Sequence, residues 1–221
     1  MKTSIIIPAA GTGSRMGSQK QLLLLAGVPV LYHTIAAFEN HEEADEIIVV
    51  APNDMAKAIL DFKFKKIKNI VEGGCNRQAS VWAGIKALSP DTAWVLIHDG
   101  ARPLVSGKAI SDVLAMVRSG FCAISGVKSK DTIKITGEDD VIEDTPVRER
   151  AWLVQTPQGF PYHLIKKAHL QAIADGFEGT DDAILAERMG IPVYMVEGDY
   201  SNIKLTTPED LRVAEALIHK C

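Results

Sequence analysis

The stretch Ser4-Ile-Ile-Ile-Pro-Ala-Ala-Gly-Thr-Gly-Ser-Arg-Met-Gly17, followed at once by Ser18-Gln-Lys20-Gln21, constrains this chain more than any other. Ile5–Ile7 read as a short buried strand: β-branched, apolar and uninterrupted. Pro8 has no N–H to give to a ladder and ends it. Small residues and two glycines then let the backbone fold tightly and turn its N–H groups toward an anion. Arg15 and Lys20 add a forked and a point-like cation beside that turn. The pattern is a strand feeding a phosphate-cradling loop that carries its own positive charge.

Two related loops do not fit. The P-loop requires Gly-x4-Gly-Lys-Ser/Thr, but Met16 stands five residues after Gly11. The dinucleotide fingerprint is met by Gly11 and Gly13 and fails at Met16, where its third glycine belongs. A turn charged in this way suits a triphosphate that is to be broken. The net charge of −4 over 221 residues disfavours a nucleic-acid partner, so any phosphate must be held by local cations. Cys75, Cys122 and Cys221 are widely spaced, which fits reduced thiols in a cytoplasmic protein and neither a disulfide framework nor a zinc site. No apolar run approaches the roughly 18 residues of a membrane span, and no membrane partner is expected.

Down the chain, strands alternate with helices. Val30, Leu31, Thr34, Ile35 and Phe38 recur at helical spacing within Pro29–Phe38. Glu46–Ala51 is a β-branched strand, 54–65 a helix with a basic end, and Ile67–Val71 a strand. Asn76–Leu88 is a helix with Val81, Trp82, Ile85 and Leu88 as its buried stripe, and Ala93–His98 is a strand. Ser106 caps a helix whose core face carries Ile110, Val113, Leu114 and Val117. This predicts an α/β chain with a Rossmann-like, doubly wound, mainly parallel sheet, whose ligands bind at the carboxyl ends of the strands. The rhythm changes after Phe121–Val127. Thr132–Ile135, the turn Gly137–Asp140, Val141–Ile142 and Trp152–Gln155 predict a projecting hairpin, an arm over about 130–152 of a single domain spanning 1–221. A two-stranded arm is marginal alone and is expected to pack on a second copy. Helices at 162–174 and 181–189, a strand at 192–196 and a helix capped at Thr207-Pro-Glu-Asp210 complete the chain.

Several clusters lie where ligands belong. Gly73-Gly74 lets backbone approach a flat base, with Arg77 and Ser80 one turn apart on a single helix face. His98-Asp99-Gly100-Ala101-Arg102-Pro103 ends a strand. There an acid can hold ribose hydroxyls or a hydrated metal and an arginine a phosphate, or the two can simply pair. His98 itself reads as a packed core residue. Thr180-Asp181-Asp182 is most simply a helix cap, and Lys204 a surface charge before the last helix.

Together, Pro8-Ala-Ala-Gly11-x-Gly13-x-Arg15-Met16…Lys20-Gln21, Gly73-Gly74-x-x-Arg77-x-x-Ser80, His98-Asp99-x-Ala101-Arg102-Pro103, Asp131-Thr132-Ile-Lys134, Gln155-Thr156-Pro157-Gln158, Gly179-Thr180-Asp181-Asp182-Ala183 and Asn202-Ile-Lys204-Leu-Thr206-x-Pro-Glu-Asp210 resemble the successive motifs of the 2-C-methyl-D-erythritol 4-phosphate cytidylyltransferases. The resemblance runs from the first strand to the last helix. It implies transfer of CMP from CTP to methylerythritol phosphate, with release of pyrophosphate, in the non-mevalonate isoprenoid route. It also implies that Arg15 and Lys20 stabilise the transition state while Mg²⁺ bridges the triphosphate. Nucleotide contacts are expected from Pro8, Ala9, Ala10, Gly11, Thr12, Gly13, Gly74, Arg77, Ser80, Asp99 and Gly100, with Asp99 also near the metal. The acceptor falls to Arg102, Thr132, Arg148, Thr156, Thr180 and Lys204. Arg148 and Lys204 aim its phosphate, and Arg148 serves the partner's site across a homodimer joined by the arm. Arg148 and Arg150 are expected on one strand face. In departures from the family pattern, the segment between Arg15 and Lys20 is short and Cys75 stands where an acid is frequent. The competing readings are a pentitol (ribitol) 5-phosphate cytidylyltransferase, a nucleotide-sensing dimer and a nicotinamide-dependent oxidoreductase.

Overall fold

The computed structural model describes residues 1–11 and 22–218. Its centre is a seven-stranded sheet. The strands are β1 (Lys2–Pro8), β4 (Glu46–Val50), β5 (Ile67–Val71), β6 (Thr92–Ile97), β7 (Cys122–Lys128), β10 (Trp152–Pro161) and β11 (Val193–Glu197), in the order β11-β7-β10-β6-β1-β4-β5. All neighbours run parallel except β10, which is antiparallel to both β6 and β7. The mainly parallel, doubly wound sheet expected from the alternation is therefore present. Ile5, Ile6 and Ile7 are fully buried because β1 lies in the middle of the sheet with helices on both faces.

The helices cover those faces with the stripes their sequences carry. On one side α1 (Val30–Glu39) buries Val30, Leu31, Thr34, Ile35 and Phe38, and α4 (Gly107–Arg118) buries Ala109, Ile110, Val113, Leu114 and Val117. The Ser106 hydroxyl accepts from Ala109 N–H and so starts α4 as its cap. On the other side lie α3 (Arg77–Lys86) and α5 (Tyr162–Ala174), packed on Ile6, Val95, Ile97 and Phe160. Trp82 and Leu88 are only partly buried at the rim of that layer. A short α6 (Ala183–Glu187) and the closing α7 (Pro208–Ile218) follow. At the start of α7 the Asp210 carboxylate accepts from Thr206 and Thr207 N–H, while the Thr207 hydroxyl accepts from Asp210 N–H, a reciprocal cap.

Three expectations are corrected. The helix over 54–65 shrinks to a 3₁₀ turn at Asn53–Met55 and α2 (Ala56–Leu60). Lys63 takes a left-handed φ of 59°, and Phe62 and Phe64 turn back onto Tyr32, with ring centroids 5.3 and 4.8 Å away. Ahead of α1, β2 (Leu24–Leu25) pairs with β3 (Val28–Pro29) through the Ala26-Gly27 turn. Trp152–Gln155 belongs to the main sheet as the first part of β10. The excursion leaves at Lys128 and returns at Trp152, which pair directly, and contains β8 (Ile135–Thr136) and β9 (Ile142–Asp144). Arg148 and Arg150 lie in a 3₁₀ turn, so they share no strand face.

Candidate active site

The loops singled out in the sequence converge at the carboxyl ends of β1 and β6. Gly100 N–H donates to Pro8 O at 3.1 Å, and Ala9 N–H donates to Val50 O at 2.7 Å, tying the loop after β1 to its neighbours. Gly73 lies so close to that loop that a Cβ there would sit 2.2 Å from the Cβ of Ala10; only glycine fits the approach. The Ser80 hydroxyl holds the turn, donating to Asn76 O at 2.9 Å and accepting from Gly74 N–H at 3.1 Å. These elements border a cleft lined by Pro8, Ala10, Gly11, Gly74, Cys75, Asn76, Arg77, Ser80, Asp99, Gly100, Ala101 and Lys204. A second hollow adjoins it, bounded by Arg102, Thr156, Gln158, Thr180 and Asp181, and shares Arg77, Asp99 and Lys204 with the first.

Asp99 stands at the junction. Its carboxylate accepts from Arg77 Nε at 3.1 Å and Lys204 Nζ at 2.8 Å, with Arg102 Nε at 3.9 Å. Burial works against its charge, but Arg77, Lys204 and Arg102 outweigh it and hold the carboxyl far below the usual range. Its backbone is fixed as well. Asp99 N–H donates to Thr156 Oγ1 at 3.1 Å, and Thr156 Oγ1 lies 2.9 Å from His98 Nδ1. His98 Nε2 lies 3.0 Å from Arg102 O, which can only accept, so the proton is on Nε2 and Nδ1 takes the threonine proton. His98 is fully buried, and burial pushes it down to about 4, so the ring is neutral near pH 7.

Arg77 bridges two acids, donating from Nη1 to Asp182 at 2.7 Å as well as from Nε to Asp99. Burial alone would lower its proton affinity; the two carboxylates raise it above the ordinary arginine value. Asp182 is 1 % exposed and is drawn below its ordinary value by Arg77 and His169 against the opposing effect of burial. Gln158 sets this corner: its Oε1 accepts from Asp182 and Ala183 N–H, and its Nε2 donates to Asp181. Asp181 caps α6 by accepting from Ile184 N–H, which leaves Asp182 to face Arg77. Arg77, Arg102 and Lys204 thus stand among the carboxylates of Asp99, Asp181 and Asp182 around the two hollows.

The structure brings Pro8, Ala10, Gly11, Gly74, Arg77, Ser80, Asp99, Gly100 and Lys204 together around the first hollow, with Ala9 buried just behind. Thr12, Gly13, Arg15 and Lys20 lie outside the described residues. Arg102 and Thr156 border the second hollow, with part of their hydrogen-bonding capacity already engaged. Arg102 Nη1 donates to Asn202 O at 2.6 Å, and the Thr156 hydroxyl is engaged on both sides. Thr180 is exposed at that hollow. Thr132 and Arg148 are exposed on the arm and border neither hollow of their own chain. Asp182, read from the sequence as part of a helix cap, and Gln158 and Asn202, given no individual role there, build the site; Asn202 Nδ2 donates to Thr156 O at 2.8 Å. The motifs containing them were visible; their partners were not.

The carboxylate bordering the first hollow is Asp99, and no cluster of three metal-ligating side chains occurs among the described residues. One hard carboxylate beside cations fits a divalent ion that arrives on phosphate oxygens, as Mg²⁺ commonly does.

The family model described as 2-C-methyl-D-erythritol 4-phosphate cytidylyltransferase matches residues 3–220. A protein of that name from Caldanaerobacter subterraneus is 47 % identical over 227 residues, covering 100 % of both chains, and one from Halalkalibacterium halodurans is 46 % identical, covering 99 % and 97 %. Among solved structures, the 4-diphosphocytidyl-2C-methyl-D-erythritol synthase of Anaerococcus prevotii superposes with a TM-score of 0.90 at 36 % identity, covering 99 % of this chain and 96 % of that one. The cytidylyltransferase of Thermus thermophilus gives 0.82 at 37 %, covering 99 % and 100 %. With its sequence and fold matched from end to end, the chain belongs to the 2-C-methyl-D-erythritol 4-phosphate cytidylyltransferase family.

Proposed function

We propose that this enzyme transfers the cytidylyl group of CTP to the phosphate of 2-C-methyl-D-erythritol 4-phosphate. A phosphate oxygen of the acceptor attacks the α-phosphorus, the bond to the β-phosphate bridging oxygen breaks, and pyrophosphate leaves. The products are 4-diphosphocytidyl-2-C-methyl-D-erythritol and pyrophosphate. An ionised phosphate is already a nucleophile, so the protein's work is positioning and charge neutralisation.

The observation that carries this reading is the convergence of three cations on Asp99 at the wall shared by two hollows. The first hollow takes the nucleotide, with backbone from Pro8 to Gly13 and the Gly74 turn facing base and phosphates, Arg77 and Ser80 framing it, and Asp99 and Gly100 beside the ribose. Arg15 and Lys20 meet the charge that develops in the transition state. The second hollow takes the acceptor at Thr180 and Lys204, with Arg102 and Thr156 as its rigid wall. When bound, Mg²⁺ screens the triphosphate; Asp99 would hold it, together with the nucleotide's own oxygens. Thr132 and Arg148 complete the site of a second subunit. The arm supports such an exchange: Ile135, Val141, Ile142 and Val147 are 46, 59, 56 and 60 % exposed in the single chain, an apolar surface that a partner would cover.

The test is pyrophosphate release from CTP and Mg²⁺ with methylerythritol phosphate and ribitol 5-phosphate in parallel. Release with the branched acceptor alone is expected. Release with ribitol phosphate instead would keep the chemistry and overturn the acceptor. Silence with both, in a protein that still binds CTP, would sink the enzymatic reading.

A further inference from the structure

Behind the site lies a buried imidazole that the reaction does not use. His169 of α5 is fully buried, its Nε2 lies 3.1 Å from Asp182 Oδ1, and its Nδ1 has no hydrogen-bond partner among the described residues. Trp82 of α3 stacks on the ring at 5.9 Å and 14°. Asp182 Oδ1 can only accept, so Nε2 carries the proton, and the stacked indole limits rotation of the ring. The other oxygen, Oδ2, accepts from Arg77 Nη1 at 2.7 Å. The two carboxylate oxygens are thus divided, one held from behind by His169, the other turned to the arginine that frames the cleft.

We propose that His169 is a positioning residue for nucleotide binding: through Asp182 it aims the guanidinium of Arg77 into the first hollow. The inference rests on the nucleotide role given above to Arg77. An arginine tethered only to Asp99 would be held by fewer contacts, and ordering it would fall to the incoming nucleotide. The effect therefore appears in CTP affinity and much less in the chemical step.

Glutamine and asparagine separate reach from polarity. The amide of His169→Gln occupies the position of Nε2 and can donate to Asp182; that of His169→Asn sits at Nδ1 and cannot. Both place one amide in the same buried site. His169→Asn is expected to raise the KM for CTP roughly tenfold, about 1.4 kcal/mol, with kcat reduced less than threefold and the KM for methylerythritol phosphate changed less than that for CTP; His169→Gln restores the CTP value. Equal KM values for the two folded variants, whether raised or normal, overturn the proposal while leaving the activity itself intact. Inactive wild-type enzyme would instead indict the functional reading. Should His169→Asn not fold, ¹⁵N chemical shifts of the wild-type imidazole decide independently: a protonated Nε2 is expected, and an Nδ1–H tautomer refutes the tether to Asp182.

Discussion

Replacing Arg77 by methionine keeps an unbranched apolar stem and removes the guanidinium charge shared by Asp99 and Asp182. The loss falls unevenly. Asp99 retains Lys204 at 2.8 Å and Arg102 at 3.9 Å, whereas Asp182, 1 % exposed, retains among the described side chains only the donor of His169. Orphaning a buried charge costs about 3–5 kcal/mol, and the lower end applies because Arg77 is itself 27 % exposed. A loss of about 3 kcal/mol lowers Tm by roughly 6–12 °C in a domain of this size. The pH dependence gives the mechanism away. In the wild type the folded-state proton affinity of Asp182 is depressed, so its contribution is present above the unfolded carboxyl value of about 4 and is lost as pH falls through the folded one. In Arg77→Met, burial becomes the dominant influence and raises the carboxyl above its unfolded value. The group then destabilises at neutral pH and is relieved as acid protonates it. Urea titrations at pH 7.5, 6 and 5 should therefore show the gap between wild type and variant narrowing toward acid. Adding Asp182→Asn to Arg77→Met should recover about 1–2 kcal/mol at pH 7.5, the coupling expected of neighbours. A gap that stays constant with pH, or stays below 1 kcal/mol, would refute the account of Arg77 as the clamp between two buried acids.

Lys204→Ala should reduce turnover with methylerythritol phosphate by roughly 10²-fold and leave stability within about 1 kcal/mol, because this lysine is 38 % exposed; pyrophosphate release and thermal melts read the two effects separately. If the proposed exchange of the arm holds, Arg148→Ala and Lys20→Ala should each be nearly inactive alone and regain some activity when mixed, because one hybrid site would then have both residues; no gain on mixing, with dimers re-formed, would remove Arg148 from the partner's site. Gly84→Ala, in α3, would place a Cβ 2.6 Å from Cγ2 of Ile6 and 3.1 Å from Cγ2 of Val50. Overpacking costs about 1–3 kcal/mol and improved helix propensity returns at most about 1, so urea melts should show a net loss of about 1–2 kcal/mol with kcat/KM unaltered.

The fold was legible wherever a local period reports a face. The α1 and α4 stripes are buried residue for residue as their spacing requires, and β1 and β4 are buried on both sides as their β-branched runs require. β10 was not legible in full, because nothing local marks it as a central strand. It contains Gln155, Thr156, Pro157, Gln158 and Gly159, a composition that reads as a turn. Those residues are tolerated for tertiary reasons. Gly159 leaves room for Val113 and Val117 of α4, which would lie 2.7 and 2.6 Å from a Cβ, and Gln155 and Gln158 have partners on the loops at 199 and 181–183. Pro157 falls where the pairing with β7 shifts register between Val154 and Gln158.

The site divides along the same line, and Asp181 and Asp182 show why. Adjacent acids before an apolar run read as a helix cap with a favourable dipole, and for Asp181 that reading holds. Only one of the two can reach the Ile184 N–H, so the function of the other is decided elsewhere in the chain, by Arg77, 105 residues away, and by His169. Thr156 and Ser80 carry the argument one step further. Their motifs single them out, yet in the structure each hydroxyl is already engaged, Thr156 with Asp99 N–H and His98, Ser80 with the Gly74 turn and Asn76 O. Substituting either should therefore disturb Asp99 or the Gly73-Gly74 approach rather than delete a ligand contact. A motif can name the residues a site requires; which of them touch the ligand and which hold the ones that do depends on where every donor and acceptor finds its partner.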